Sequence, residues 1–223
     1  VGVADGVGGW AAEGVDPAIY ARRLMAGAAD ALEQQASAGG RSPLPCVRAA
    51  LVAGHAATAG IPGSSTAVLG AALPGGTLQV AVLGDSGFYL LRNGRLALAS
   101  DPQQHSFNMP FQLAAPDTPG GGANSPADAD VYDVAAEAGD LLILATDGVC
   151  DNLHPEELEG LVADFLAGGG PGGGPGGGGG GGGSAFSAAS AAALARAIAA
   201  KAAAHGADPA YRSPWVVEAA RAG

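Results

Sequence analysis

An α+β fold with an antiparallel sheet is what this sequence predicts, and three observations predict it. Helical periodicity comes first, strand-length apolar runs joined by tight turns come next, and further strands and helices follow. That order differs from the strict alternation that builds parallel sheets. Asn93-Gly94 separates two apolar runs, the strongest short hairpin signal, because both central residues of a type I′ turn need positive φ. The length of 223 residues suits a single domain, 1–223, with a substantial core.

Residues 1–4 read as a short apolar strand running into Asp5-Gly6 and a glycine-rich stretch that ends at Trp10. From Asp16-Pro17 the pattern turns helical. Asp16 can cap, Pro17 fits the first turn, and Ile19, Tyr20, Leu24, Ala28 and Leu32 recur at helical spacing until Gly39-Gly40. A second helix follows Pro45, from Cys46 to near Thr58. Strands are then expected over 65–73, 78–83, 88–92 and 95–100, the last three forming an antiparallel meander turned at Gly84-Asp85-Ser86-Gly87 and Asn93-Gly94. Residues 101–130 read as loop. Two more strands, 131–134 and 141–146, flank a turn at Gly139-Asp140. A helix over 155–166 places Glu156, Glu157 and Glu159 near its positive end. The run 168–183 is Gly broken by Pro171 and Pro175, which buries nothing and is expected to be a flexible insertion. It lacks the Lys-Ser/Thr ending of a phosphate-cradling loop. An Ala-rich helix over 188–204 completes the pattern.

Ten basic residues stand against 21 acidic ones, a net charge of −11. Such a chain is a poor candidate for nucleic-acid binding, since phosphate backbones are held mainly by clustered Lys and Arg. No polybasic stretch favours an anionic membrane surface, and no apolar run is long enough to span a bilayer. Carboxylate excess instead suits a hard divalent cation. Cys46 and Cys150 form neither a disulfide framework nor a CxxC pair. The chain opens at Val1 within what reads as a strand, as a segment of a longer fold would.

Two Asp-Gly pairs carry the chemistry, Asp5-Gly6 and Asp147-Gly148, each following an apolar strand. Such an ending puts a carboxylate at the sheet edge while Gly lets the backbone turn. Two such strands side by side would bring the carboxylates together, the ligand set that Mg²⁺ or Mn²⁺ prefers. Asp151 lies four residues beyond Asp147, and Asp85 tops the strand over 78–83 in a similar manner. Asp-Gly alone is a common turn, so spacing leaves the metal reading and the purely structural one both open.

The motifs Val3-Ala-Asp-Gly-Val-Gly-Gly-Trp10, Gly63-Ser-Ser-Thr-Ala67, Leu83-Gly-Asp-Ser-Gly87 and Ala145-Thr-Asp-Gly-Val-Cys-Asp-Asn-Leu153 together resemble the ordered series of the metal-dependent type-2C serine/threonine protein phosphatases. The run Gln103-Gln-His-Ser-Phe-Asn-Met-Pro-Phe-Gln-Leu113 is similar to a signature of the mitochondrial and plastid branch. The resemblance implies a sandwich of two antiparallel β-sheets flanked by helices, incomplete at both ends, with a two-metal centre of Mg²⁺ or Mn²⁺. It implies that Asp5 bridges the metals, that the Gly6 carbonyl and Asp147 bind them, and that Asp85, Asp147 and Asp151 form a weaker third site. Activated water would attack phosphorus in line, so no enzyme nucleophile is needed. The implied substrate is a phosphorylated protein, the implied state a monomer, and the implied location a mitochondrion or chloroplast.

The departures bear on mechanism. Val7 stands where many members carry a general-acid His, leaving protonation of the leaving group to water at the metals or to His105. The family also places an acid and a phosphate-binding Arg in a strand before the first motif, and an Asp in a strand near the C-terminus. The 223 residues begin after the one and stop before the other, and Arg22 and Arg23 read as solvated helix residues, not substitutes. The alternative function is a catalytically inactive, phosphatase-like binding module. A calcium-binding β-protein is disfavoured because no loop of alternating acids appears.

Overall fold

A computed structural model describes residues 1–37, 46–115, 124–169 and 186–223. They divide into two compact units, Val1–Arg92 with Ala97–Asp147, and Asn93–Leu96 with Gly148–Gly223. Helices α1 (Pro17–Ser37) and α2 (Val47–Ala56) belong to the first unit. One sheet runs in the order β1 (Gly2–Val3), β3 (Ala67–Leu73), β4 (Thr77–Leu83), β10 (Asp130–Ala135), with every pairing antiparallel. A second runs β11 (Leu141–Ala145), β5 (Gly87–Arg92), β6 (Arg95–Ala99). Two short ribbons pair β2 (Ser64–Ser65) with β9 (Leu113–Ala114), and β7 (Gln104–Ser106) with β8 (Met109–Pro110).

Side chains alternate across each strand, and that alternation assigns the layers. Ala67 and Leu69 of β3 and Ala81 and Leu83 of β4 cluster with Tyr20, Leu24, Ala28, Val47 and Leu51 of the helices. The intervening Val68, Val80 and Val82 cluster with Phe88 and Leu90 of β5, against Leu142 and Leu144 of β11. One sheet is therefore covered by helices on one face and by the second sheet on the other. Phe88 and Tyr132 close that inter-sheet core edge to face, with ring centroids 5.0 Å apart.

Three expectations are corrected here. β4 and β5 do not pair in a meander, because the Gly84–Ser86 corner carries the chain from one sheet to the other. The strands preceding Asp5 and Asp147 are not neighbours in one sheet either: β1 pairs β3, and β11 pairs β5. Residues 101–130 hold the short strands β7, β8 and β9 and a capped 3₁₀ turn, Pro126–Asp128, whose Ser125 and Asp128 satisfy each other's backbone. The Asn93-Gly94 turn is as expected, with φ of 53° and 73°.

In the second unit, Leu153, Leu158 and Val162 are buried, as are Leu194, Ile198 and Ala202. The first three accompany α4 (Pro155–Asp164) and the others lie on α5 (Ala188–Gly206). α4 stops at Asp164 and relaxes into a π turn, Phe165–Gly169, not continuing to 166 as a regular helix. Glu157 accepts hydrogen bonds from the His154 backbone and the Tyr211 hydroxyl, and His205 stacks on Tyr211. Ser213 caps α6 (Pro214–Ala222). The expected Gly-rich insertion lies outside the described residues from 170 onward. Among the described residues no helix is long and apolar enough to cross a membrane.

Candidate active site

Asp5 sits just past β1, and its backbone is held on several sides by the hydroxyl residues of 63–67. Its carbonyl accepts from the Thr66 amide at 3.0 Å and from the Ser65 hydroxyl at 2.7 Å, and its amide donates to Thr66 Oγ1 at 3.2 Å. Val7 NH donates to the Ser64 carbonyl at 2.9 Å. Gly6 and Ser65 consequently face each other as a non-hydrogen-bonded pair, and the ladder does not consume the Gly6 carbonyl. Gly6 is required on packing grounds: a Cβ there would lie 2.3 Å from the Pro17 carbonyl oxygen in the first turn of α1.

Asp85 occupies the inter-sheet corner. Gly84 has φ +101°, and a Cβ on it would meet the Phe111 carbonyl oxygen at 2.6 Å, so only glycine makes this crossing. Gln103 clamps the corner, its amide donating to the Gly84 carbonyl at 2.8 Å and its side-chain oxygen accepting from Gly84 NH at 3.2 Å. Thr66 Oγ1 and Ser86 Oγ lie 2.7 Å apart and tie the Asp5 turn to the Asp85 corner. Asp147 follows β11 directly and opens the four-residue helix α3 (Asp147–Cys150).

The geometry thus brings Asp5, Asp147 and Asp85 together within the first unit. Burial, then a hydrogen bond to Asp147 and the charges of Asp147 and Asp85, push the Asp5 carboxyl up to about 6, with a hydrogen bond from Thr146 opposing. Burial and the charge of Asp147 also raise Asp85, against a hydrogen bond from Gln104. No cation is among the groups that set these shifts. Two carboxylates in contact without a cation must share a proton or take up a metal ion. Among the described residues no group of three or more His, Cys, Asp or Glu side chains is gathered tightly enough to hold an ion. The donors that fit a divalent cation are therefore the Asp5–Asp147 pair and the Gly6 carbonyl, with Asp85 a more distant acid.

Asp151 and the histidines make contacts of their own. Asp151 belongs to the second unit, where its carbonyl accepts from Trp215 NH at 3.2 Å. His105, on β7, stacks on Phe111 and bonds Asn124 Oδ1 at 3.1 Å. His55, His154 and His205 each bond a backbone carbonyl. Sequence alone left Ser65, Thr66, Ser86 and Gln104 without roles. A usable signal was present, because a run of hydroxyl residues entering a buried strand must find partners. Among the described residues no buried side-chain polar atom lacks one.

A helix-covered antiparallel sandwich with paired carboxylates at its strand ends is an arrangement that suits a divalent cation. No protein-family model matches the chain. It is 37% identical over 169 residues to a probable protein phosphatase 2C 80 of Arabidopsis thaliana, covering 76% of this chain and 38% of that protein. It is 41% identical over 167 residues to the protein phosphatase PTC7 homolog fig of Drosophila virilis, covering 71% and 51% respectively. The structure of the photosystem II phosphatase PBCP superposes with a TM-score of 0.77 at 29% identity, over all of this chain and 74% of that one. The catalytic domain of the serine/threonine phosphatase PstP, solved with two manganese ions, shares the fold at TM-score 0.59 and 21% identity, over 93% of this chain and 82% of that one. The chain belongs to the protein phosphatase 2C family. It spans between about a third and a half of the length of these two curated relatives.

Proposed function

We propose that this chain carries the catalytic centre of a metal-dependent phosphatase that hydrolyses phosphoserine and phosphothreonine in proteins. The observation that carries the reading is the Asp5–Asp147 contact, two half-buried carboxylates delivered from different sheets with no cation beside them. Asp5, the Gly6 carbonyl and Asp147 would hold two Mg²⁺ or Mn²⁺ ions, with Asp85 serving a weaker third. Bound there, the ions supply Lewis-acid activation of water and neutralise charge on the phosphoryl oxygens. The protein's own part is to keep the acids in place. Ser65 and Thr66 fix the Asp5 backbone, Gln103 fixes the corner, and the Thr66–Ser86 link holds the two in register.

Residues 1–223 are read as one catalytic domain, because the motif over 145–153 runs across the boundary between the two units. A monomer in a mitochondrion or chloroplast is the fuller reading, supported by likeness to a photosystem II phosphatase and to a PTC7 homolog. A fluorescent fusion of the encoded protein that stays in the cytosol would remove the organellar part. Activity is tested on p-nitrophenyl phosphate and a phosphothreonine peptide, with Mn²⁺ and with EDTA. Turnover should require the metal. Undiminished turnover in EDTA overturns the metal mechanism, and tight Mn²⁺ binding without any turnover makes the chain a docking module.

A further inference from the structure

We infer that Gln104 is a positioning residue for this centre, an uncharged donor that holds the Asp85 carboxylate in place without neutralising it; the inference rests on the metal-dependent phosphatase reading above. Two consecutive glutamines reach the inter-sheet corner from the β7–β8 hairpin. Gln103 takes the backbone. Its amide donates to the Gly84 carbonyl at 2.8 Å, its side-chain oxygen accepts from Gly84 NH at 3.2 Å, and its side-chain amide donates to the Asp128 carbonyl at 3.0 Å. Its own carbonyl accepts from Phe111 NH at 2.9 Å, which closes the base of the hairpin. With residue 103 fixed against residue 84, residue 104 stands beside residue 85, and the Gln104 side chain donates to the Asp85 carboxylate.

That bond serves the acid more than the glutamine. All three residues of β7 are exposed, so water would satisfy the Gln104 amide in its absence. Asp85 is half-buried and feels the charge of Asp147, and the hydrogen bonds that answer its carboxyl come from its own backbone amide and from Gln104. Repulsion between the two carboxylates favours swinging the Asp85 side chain away from Asp147. A directional donor fixed at the base of a hairpin opposes that movement.

The kind of donor matters as well. Asp140 in the same unit is completed by a cation, Arg92, through bonds of 2.9 and 2.8 Å. A cation at position 104 would complete Asp85 in the same manner and leave it nothing to offer an ion. A primary amide occupies one acceptor site of a carboxylate that has about four, and its charge stays available to a divalent cation. Partners of this kind set the orientation of a ligating carboxylate, and metal affinity follows from it.

The experiment titrates Mn²⁺ by calorimetry into the full chain freed of metal, and measures beside it the Mn²⁺ concentration that half-activates turnover of a phosphothreonine peptide. Asp85→Asn identifies the binding step that Asp85 serves. Gln104→Leu should weaken that step by about tenfold, the lower end of the range for a residue that orients a metal ligand. It should leave the tighter step and the urea midpoint in EDTA in place. In the Asp85→Asn background Gln104→Leu should change nothing further, whereas a merely structural glutamine would cost the same in both. Gln104→Lys restores a donor but adds charge, and should weaken the step at least as much as Gln104→Leu. An unchanged isotherm in Gln104→Leu overturns the inference. So do equal losses with and without Asp85, full affinity in Gln104→Lys, or a wild-type isotherm lacking any step that Asp85→Asn removes. Mn²⁺ binding that depends on Gln104 in a protein that hydrolyses no phosphopeptide would sink the phosphatase reading while keeping this one.

Discussion

At the start of β11, Asp140 meets Arg92 of β5; just past its other end, Asp147 meets Asp5. The two aspartates border the same strand, and their surroundings push in opposite directions. Arg92 grips both oxygens of Asp140, at 2.9 and 2.8 Å, while the Glu137 amide donates at 2.9 Å. Those hydrogen bonds hold the Asp140 carboxyl down to about 2. At the far end no cation answers, and Asp5 rises to about 6. One end is complete without a ligand and the other is not. An uncompensated acid pair kept in a folded core is costly, and such costs concentrate where a site does chemistry.

Removing a carboxylate from the incomplete end should have the largest effect. Asp147→Asn should lower kcat by several orders of magnitude in the active protein and weaken Mn²⁺ binding, since it deletes a ligand. Asp85→Ala should be milder, because Asp85 touches neither partner directly. Calorimetric Mn²⁺ titration beside kcat checks both, and equal losses in the two variants would erase the distinction between the pair and the third acid.

Thr66→Val tests what holds that end together. It leaves the buried Ser86 hydroxyl without its Thr66 partner and the Asp5 amide without its acceptor. Chemical denaturation should show a loss of about 1–3 kcal/mol, the range for orphaning a buried polar group. Unchanged stability would mean that the hydroxyl network does not position Asp5.

Asp5→Asn should do the reverse to the metal-free protein. A carboxyl whose folded pKa is raised binds more protons folded than unfolded, so stability falls as pH climbs from its ordinary 3.8 through about 6. At neutral pH the substitution removes that penalty, worth at most about 1 kcal/mol after solvent screening of a half-buried group. Thermal melts in EDTA at pH 7 should show a small rise, and a fall would mean the pair is not strained. The complete end carries the opposite sign and the smallest effect. With Asp140 depressed, its contribution is present above its ordinary 3.8 and fades as pH drops toward 2. Asp140→Asn should therefore lower stability slightly at pH 7 and by clearly less near pH 2, as urea melts at the two pH values would register.

Local rules sufficed wherever neighbours in sequence are neighbours in space. Periodicity located α1 and α2, Asn93-Gly94 announced its turn, and the four motifs marked Asp5, Asp85 and Asp147 before any contact was known. Pairing partners were another matter. The apolar run ending at Leu83 and the one beginning near Phe88 read as one meander, because hydrophobic alternation says which face is buried but not against which sheet. Only the crossing at Gly84, forced by the approach of the Phe111 carbonyl oxygen to 2.6 Å of where a Cβ would stand, puts those strands in different layers. The same crossing decides that Asp5 and Asp147 meet from two sheets and not along one. The sequence by itself determined which acids and which strands exist; the packing of two sheets decided which acids touch, because contacts between residues far apart in the chain are made by layers closing on each other and leave no local period to read.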